Sequence, residues 1–181
     1  MKKLHRFQKG FTWNKDSRLT SIGRKQARQF AKSMNPSIDI LASSNLVRAL
    51  NTAKEMRSHL QFTKAKGNYK NDVIVLPYIS EINTYIGHGA KTYKSLNNKS
   101  TINLDYVTED TLSEPSNMKK FMFHCKSLIH DFFSNNPSRK TLKLMIVSHG
   151  RFMRNFLPGL PKDVIIGNLG SWSFIRNYNM D

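Results

Sequence analysis

Apolar residues recur along the chain in two patterns. A spacing of three to four residues predicts amphipathic helices, and short unbroken apolar runs predict buried strands. Thr20 is placed to cap a helix that ends at Asn35-Pro36, and Ser43-Ser44 are predicted to open a second helix. Further helices are predicted over 117–133 and 151–157, strands over 38–42, 73–76, 142–147 and 171–175, and a loop over 61–72.

Helices that alternate with short apolar strands are typical of α/β proteins. The pattern predicts a three-layer α/β/α sandwich with a mostly parallel sheet. The chain has the length of one domain, so residues 1–181 are expected to fold together. Residues 83–116 lack clear periodicity and are rich in Asn, Ser, Thr and Gly. They are predicted to form an irregular insertion over the active-site face.

The charge of the chain points to an anionic partner. There are 29 Lys and Arg residues against 12 Asp and Glu, a net charge of +17, and the excess lies mainly in residues 1–33 and 116–181. Such a balance suits phosphorylated ligands, nucleic acid or another polyanion. Cys125 is the single cysteine and cannot form an internal disulfide, and no apolar run has the length of a membrane span. We therefore expect an intracellular, reducing compartment, the cytoplasm or alternatively the mitochondrial matrix.

Residues with phosphate chemistry follow three of the predicted strands. Arg48 comes in the first turn of the helix after strand 38–42, Glu81 follows strand 73–76, and His149 follows strand 142–147. The carboxyl ends of parallel strands share one edge of a sheet, which is where ligands bind. An Arg fork suits phosphate, a His can donate to phosphate or shuttle a proton, and a Glu can act as general acid or base. Together they predict a site that handles a phosphoryl group.

Five segments carry a family resemblance. They read D-S-R-L-T-S-I-G-R-K-Q-A from Asp16, S-N-L-V-R-A-L-N-T-A from Ser44, L-P-Y-I-S-E-I from Leu76, I-V-S-H-G from Ile146 and N-L-G-S from Asn168. In this order they resemble motifs of the histidine phosphatase (phosphoglycerate mutase-like) superfamily. The resemblance implies the fold of that family and a pocket for a phosphoryl group, and it includes Arg48, Glu81 and His149.

The first motif of that family, Arg-His-Gly, has no counterpart in the sequence. By position, Gln8 stands where the family has its phosphate-binding Arg, and Lys9 stands where it has the His that forms a phosphohistidine. Gly10 and Thr12 match the family pattern. A protonated Lys has no lone pair with which to attack phosphorus, and a neighbouring phosphate favours the protonated form. Lys9 is therefore expected to bind phosphate rather than attack it.

Two alternative placements of the first motif stay open. His5, followed by Arg6, gives a more usual distance to Asp16 and would supply a nucleophile, but it leaves only residues 1–4 for the first strand. In the second alternative, the first strand of the family is absent from this chain. The choice decides whether the protein has a nucleophile.

Three functions follow from these observations. The first is a degenerate family member, a pseudoenzyme that keeps a pocket for a small phosphorylated ligand. The alternatives are an active phosphomonoesterase or mutase that works through a phosphohistidine, and a basic scaffold or nucleic-acid-associated assembly protein. No cofactor and no metal are expected. The predicted catalytic residues are His149, Glu81 and His5, and the predicted phosphate-binding residues are Arg48, Lys9, Gln8, Gly10, Thr12, Ser148 and Gly150.

Overall fold

The computed structural model describes residues 18–34, 37–67, 72–81 and 101–156. In chain order this part of the chain forms α1 (Ser21–Met34), β1 (Ser37–Ile38), β2 (Ile40–Ser44), α2 (Val47–Arg57), β3 (Gln61–Phe62), β4 (Val73–Leu76), β5 (Ile102–Asn103), α3 (Glu109–Ser113), α4 (Met118–Asn135), β6 (Leu144–Val147) and α5 (Gly150–Phe156). The main sheet has the order β5-β4-β2-β6, and its neighbouring strands all run parallel. Strands β1 and β3 form a separate parallel pair. The predicted α/β class with a mostly parallel sheet is confirmed.

Helices cover both faces of the main sheet. Successive residues of a strand point to opposite faces, so each fully buried strand supplies two layers. Leu41 and Val75 pack in a cluster with residues of α1 and α2 on one side. Ile40 and Ile74 pack in a second cluster with residues of α4 and α5 on the other side. This alternation explains why β2 and β4 are continuous apolar runs, and it gives the three predicted layers.

The predicted strand 38–42 is interrupted at Asp39. The side chain of Asp39 is fully buried and accepts hydrogen bonds from the Arg139 guanidinium and the Thr63 hydroxyl. It also accepts from the backbone N–H of Lys143 at 2.7 Å. Burial of a carboxylate is tolerated only with such partners. Asp39 thus ties β1, β2 and β6 together at the amino ends of the strands, away from the edge where the site lies.

Most of the local predictions are confirmed in type and position. Strand β4 has the predicted bounds, and the predicted cap of α1 is present, with the Gly23 N–H donating to Thr20 Oγ1 at 3.1 Å. Helix α4 and strand β6 differ from the prediction by one or two residues at their ends. The predicted strand 171–175 lies outside the described residues.

Three short elements differ from the prediction. Strand β3 lies within the predicted loop 61–72, and β5 and α3 lie within the predicted irregular segment 83–116. Strand β5 has two residues and exists through its pairing with β4. Helix α3 begins with a capping box between Thr108 and Thr111. The first half of the proposed insertion, residues 83–100, lies outside the described residues, so its position over the site stays a prediction, as does the single domain.

Across residues 18–34, 37–67, 72–81 and 101–156, no helix combines the length and the apolar character that crossing a bilayer requires.

Candidate functional site

Three loops meet at the carboxyl edge of the sheet. Ser44 at the end of β2 pairs with Leu76 at the end of β4, and Ser43 pairs with Val147 at the end of β6. The strands therefore end at the same level. The segments that follow carry Arg48, Glu81 and His149, so the structure brings these three predicted residues to one edge, where parallel sheets bind ligands.

His149 is a buried histidine, with 5% of its surface exposed. Its Nε2 lies 3.0 Å from the Ser44 hydroxyl. Burial, assisted by the positive charge of Arg48, lowers the pKa of His149 from 6.5 to about 3. The imidazole is therefore neutral at neutral pH.

Arg48 lies in the first turn of α2, facing the loop after β4. Its Nη2 is 3.8 Å from Glu81 Oε2, and about a quarter of each side chain is exposed (26% and 27%). Leu46, the N-cap residue of α2, makes no side-chain cap hydrogen bond, and the first turn contains no acidic residue. The positive end of the helix dipole and a guanidinium together favour an anion at this position.

The loop after β4, residues 77–81, is fastened at successive carbonyl groups. Tyr78 O accepts from the backbone N–H of Asn117 at 2.9 Å. Ile79 O accepts from the Ser148 hydroxyl at 2.8 Å, and Ser80 O accepts from the Ser116 hydroxyl. These bonds fix the backbone that carries Glu81.

Tyr78 adopts a backbone conformation that aromatic residues rarely take. Its φ of 65° lies in the left-handed region, which costs a non-glycine residue about 1–2 kcal/mol. The ring is buried and packs edge-on against His124, with 5.4 Å between ring centroids. Packing of the ring and the hydrogen bond from Asn117 hold this strained turn, so the direction in which the chain approaches Glu81 is set by contacts with α4.

Asn45 links two loops to α3. It is buried, with its Nδ2 donating to Leu112 O at 3.1 Å and its Oδ1 accepting from the Ser80 hydroxyl at 2.6 Å. Ser44, Asn45 and Ser80 are not among the site residues predicted from the sequence. The sequence does carry a signal for Ser44 and Asn45. They belong to a run of three polar residues, Ser43 to Asn45, at the end of a buried strand, and buried polar groups need hydrogen-bond partners.

The remaining predicted site residues have separate outcomes. Ser148 uses its hydroxyl to bind the loop after β4, and Gly150 is the first residue of α5. Their roles in phosphate binding stay predictions. His5, Gln8, Lys9, Gly10 and Thr12 lie outside the described residues.

No cluster of three or more His, Cys, Asp or Glu side chains within the described ranges is arranged to hold a metal ion.

Several basic side chains of α1 and α2 have acidic partners. Arg24 and Arg28 bind the two oxygens of Glu55 at 2.8 and 2.7 Å, and Arg57 lies 3.6 Å from Asp72. The hydrogen bond from Arg28, with the smaller contribution of Arg24, lowers the pKa of Glu55 despite the opposing effect of burial. Part of the basic excess is thus neutralised locally, and a surface for nucleic acid or another polyanion stays a prediction.

Comparison with known proteins identifies the family. The sequence model described as the histidine phosphatase superfamily (branch 1) matches residues 4–163. The chain belongs to this superfamily. The resemblance found in the sequence motifs is therefore confirmed, and the match extends over the edge that carries Arg48, Glu81 and His149.

One solved structure to which the chain is similar is the ecdysone phosphate phosphatase EPPase from Bombix mori, in complex with tungstate. The identity is 19% and the TM-score is 0.47, with 91% of this chain and 65% of that chain covered. The present chain thus spans about two thirds of the length of that phosphatase. A comparison with curated proteins gave no match.

Proposed function

We propose that this member of the histidine phosphatase superfamily binds a small phosphate monoester at the carboxyl edge of its sheet and does not hydrolyse it. The observation that carries the proposal is the meeting of Arg48, Glu81 and the buried His149 at the edge of the sheet where β2, β4 and β6 end. A phosphate dianion needs charge-assisted donors in a place with little water, and Arg48 and His149 supply a cation and a polar ring in such a place.

The two side chains differ in what they give the ligand. Arg48 is always protonated and can offer two parallel N–H donors to two phosphate oxygens. His149 is uncharged and can offer one ring N–H. Glu81 Oε2, 3.8 Å from Arg48 Nη2, can accept a hydrogen bond from a hydroxyl group of the ligand. A monoester with a polar group beside its phosphate fits this set better than inorganic phosphate alone.

The first motif supports the absence of turnover. In the placement that keeps Gly10 and Thr12, Lys9 stands where the family has the histidine that accepts the phosphoryl group, and Gln8 stands where it has the neighbouring arginine. A protonated Lys binds an anion but has no lone pair for attack on phosphorus. Without a nucleophile, the site can bind a phosphate monoester but cannot cleave its ester bond.

The second candidate function is an active phosphomonoesterase that uses His5. The family match begins at residue 4, so His5 lies inside the matched region. This candidate differs from the first in one measurable property, which is the release of phosphate from a monoester.

Binding is tested by isothermal titration of the full chain with phenyl phosphate and with inorganic phosphate. We expect Arg48→Gln to weaken both affinities by about tenfold to a hundredfold, since a hydrogen bond to a charged group is worth about 1.5–3 kcal/mol. Arg57→Gln is the matched control, because Arg57 lies on the same helix and pairs with Asp72. Equal affinity in the wild type and Arg48→Gln would contradict the proposed site.

Turnover is tested with an aryl phosphate that gives a coloured product. We expect no phosphate release above buffer from the wild type, His5→Ala or His149→Ala. Release by the wild type that disappears in both variants would overturn the inactive assignment and establish the phosphohistidine alternative.

A further inference from the structure

The hydrogen bonds around His149 decide which of its ring nitrogens carries the proton. A neutral imidazole has one N–H donor and one acceptor nitrogen, so its two tautomers present opposite chemistry to a ligand. Among the described residues, the imidazole has one hydrogen-bond partner, the Ser44 hydroxyl, 3.0 Å from Nε2. The direction of this bond therefore fixes the tautomer.

The orientation of the neighbouring Asn45 amide is fixed by Leu112. Leu112 O lies 3.1 Å from Asn45 Nδ2, and a carbonyl oxygen can only accept a hydrogen bond. The amide must therefore turn its NH2 group toward Leu112. Its Oδ1 then accepts from the Ser80 hydroxyl at 2.6 Å, which is a short and strong bond.

Ser44 has one hydroxyl proton and two acceptors within reach. His149 Nε2 is at 3.0 Å, whereas Asn45 Oδ1 is at 3.4 Å and already accepts from Ser80. The longer contact is outside the usual O–H···O range of about 2.5–3.0 Å. Ser44 Oγ also accepts from the backbone N–H of Leu46 at 3.3 Å, which leaves its own proton free to be donated. The shorter of the two contacts therefore favours donation of the Ser44 proton to Nε2.

We propose that Ser44 is a positioning residue that holds His149 in the Nδ1–H tautomer, so that the ring offers an N–H donor to an anionic oxygen of the ligand. The tautomer itself follows from the hydrogen bonds, and its use in ligand binding rests on the proposed function. Because burial keeps His149 neutral at neutral pH, the ring has a single proton, and the tautomer decides whether Nδ1 attracts or repels a phosphate oxygen.

The tautomer is read directly by two-bond ¹H–¹⁵N correlation spectra of the full chain labelled at its histidines, at pH 7 without phosphate. Protonated and unprotonated ring nitrogens have well-separated ¹⁵N shifts. The spectrum of His149→Gln identifies the His149 signals among those of the six histidines. We expect Nδ1 at the shift of a protonated nitrogen and Nε2 at that of an unprotonated one. The opposite assignment in the wild type would overturn the proposal, whatever the variants do.

Three serine variants distinguish a positioning role of Ser44 from a role in packing alone. Ser43 is as buried as Ser44, but its hydroxyl donates its hydrogen bond to Ser44 O, at 3.0 Å, rather than to the imidazole. We expect Ser44→Ala to move His149 toward the Nε2–H form and to weaken phenyl phosphate binding about twofold to tenfold, the value of one hydrogen bond. Ser43→Ala should leave the tautomer unchanged, and Ser44→Thr, which keeps the hydroxyl, should restore the Nδ1–H form.

An unchanged tautomer in Ser44→Ala, or an equal change in Ser43→Ala, would overturn the role of Ser44. Failure of the proposed function gives a different result: the wild type would show the Nδ1–H form and bind neither phenyl phosphate nor inorganic phosphate. In that case the tautomer assignment is supported and the phosphate site is wrong.

Discussion

Burial of neutral His149 makes the stability of the protein depend on pH in a calculable way. The pKa of this residue is about 3 in the folded state against an ordinary value of 6.5, which the unfolded chain is expected to show. Below pH 6.5 the unfolded state therefore binds a proton that the folded state does not, so stability falls with pH and continues to fall to about pH 3. Between pH 7 and pH 5 the loss from this one residue is about 2 kcal/mol, and the figure is the same for any folded pKa well below 5.

The assay is urea unfolding of the full chain at pH 7 and pH 5 in a buffer without phosphate. His149→Gln removes the titrating group, so the difference between the two pH values should be about 2 kcal/mol smaller in this variant than in the wild type. His130→Gln is the matched control, because that side chain is 68% exposed and lies on the surface of α4. The reasoning is refuted if His149→Gln and the wild type lose the same stability between the two pH values.

Three further predictions follow from side chains outside the site. Asp39→Ala should lower the free energy of unfolding by about 3 kcal/mol or more, because it leaves Arg139 and the Lys143 N–H without their carboxylate; a change under 1 kcal/mol in urea unfolding would contradict this. Asn117→Ala should cost about 1 kcal/mol in the same assay, because Asn117 Oδ1 caps α4 by accepting from Lys120 N at 3.1 Å. Burial raises the pKa of the Cys125 thiol to about 12, so a thiol reagent at pH 8 should label the unfolded chain at once and the folded chain only at the rate of opening; immediate labelling of the folded protein would show that the thiol is exposed.

Local patterns were sufficient for the longer elements of the fold. Helix α1 and strand β4 are each specified by residues that lie next to one another in sequence, namely a capping Thr20, a helical apolar spacing and an unbroken apolar run. Strands β3 and β5 are two residues long and exist through pairing with strands elsewhere in the chain. No local signal distinguishes such residues from a loop.

The candidate site likewise has features that local sequence specifies and features that depend on distant residues. Arg48, Glu81 and His149 could be predicted because each follows an apolar strand and lies in a recognisable motif. The hydrogen bonds of Ser44 and Asn45 could not be predicted, since their partners His149 and Leu112 are 105 and 67 residues away. The lowered pKa of His149 was missed for the same reason, because it arises from burial by segments that only the folded chain brings together.

The central claim is that a phosphate group binds between Arg48 and His149, and the position of a heavy phosphate analogue tests it most directly. In crystals of the full chain grown with tungstate, anomalous scattering would locate the tungsten atom. The proposed function predicts a tungsten peak at the carboxyl edge of the sheet, with tungstate oxygens within hydrogen-bond distance of the Arg48 guanidinium and the His149 imidazole. At the same tungstate concentration, it predicts a clearly weaker peak for Arg48→Gln. Tungstate bound only elsewhere on the basic surface, or a peak that persists unchanged in Arg48→Gln, would contradict it.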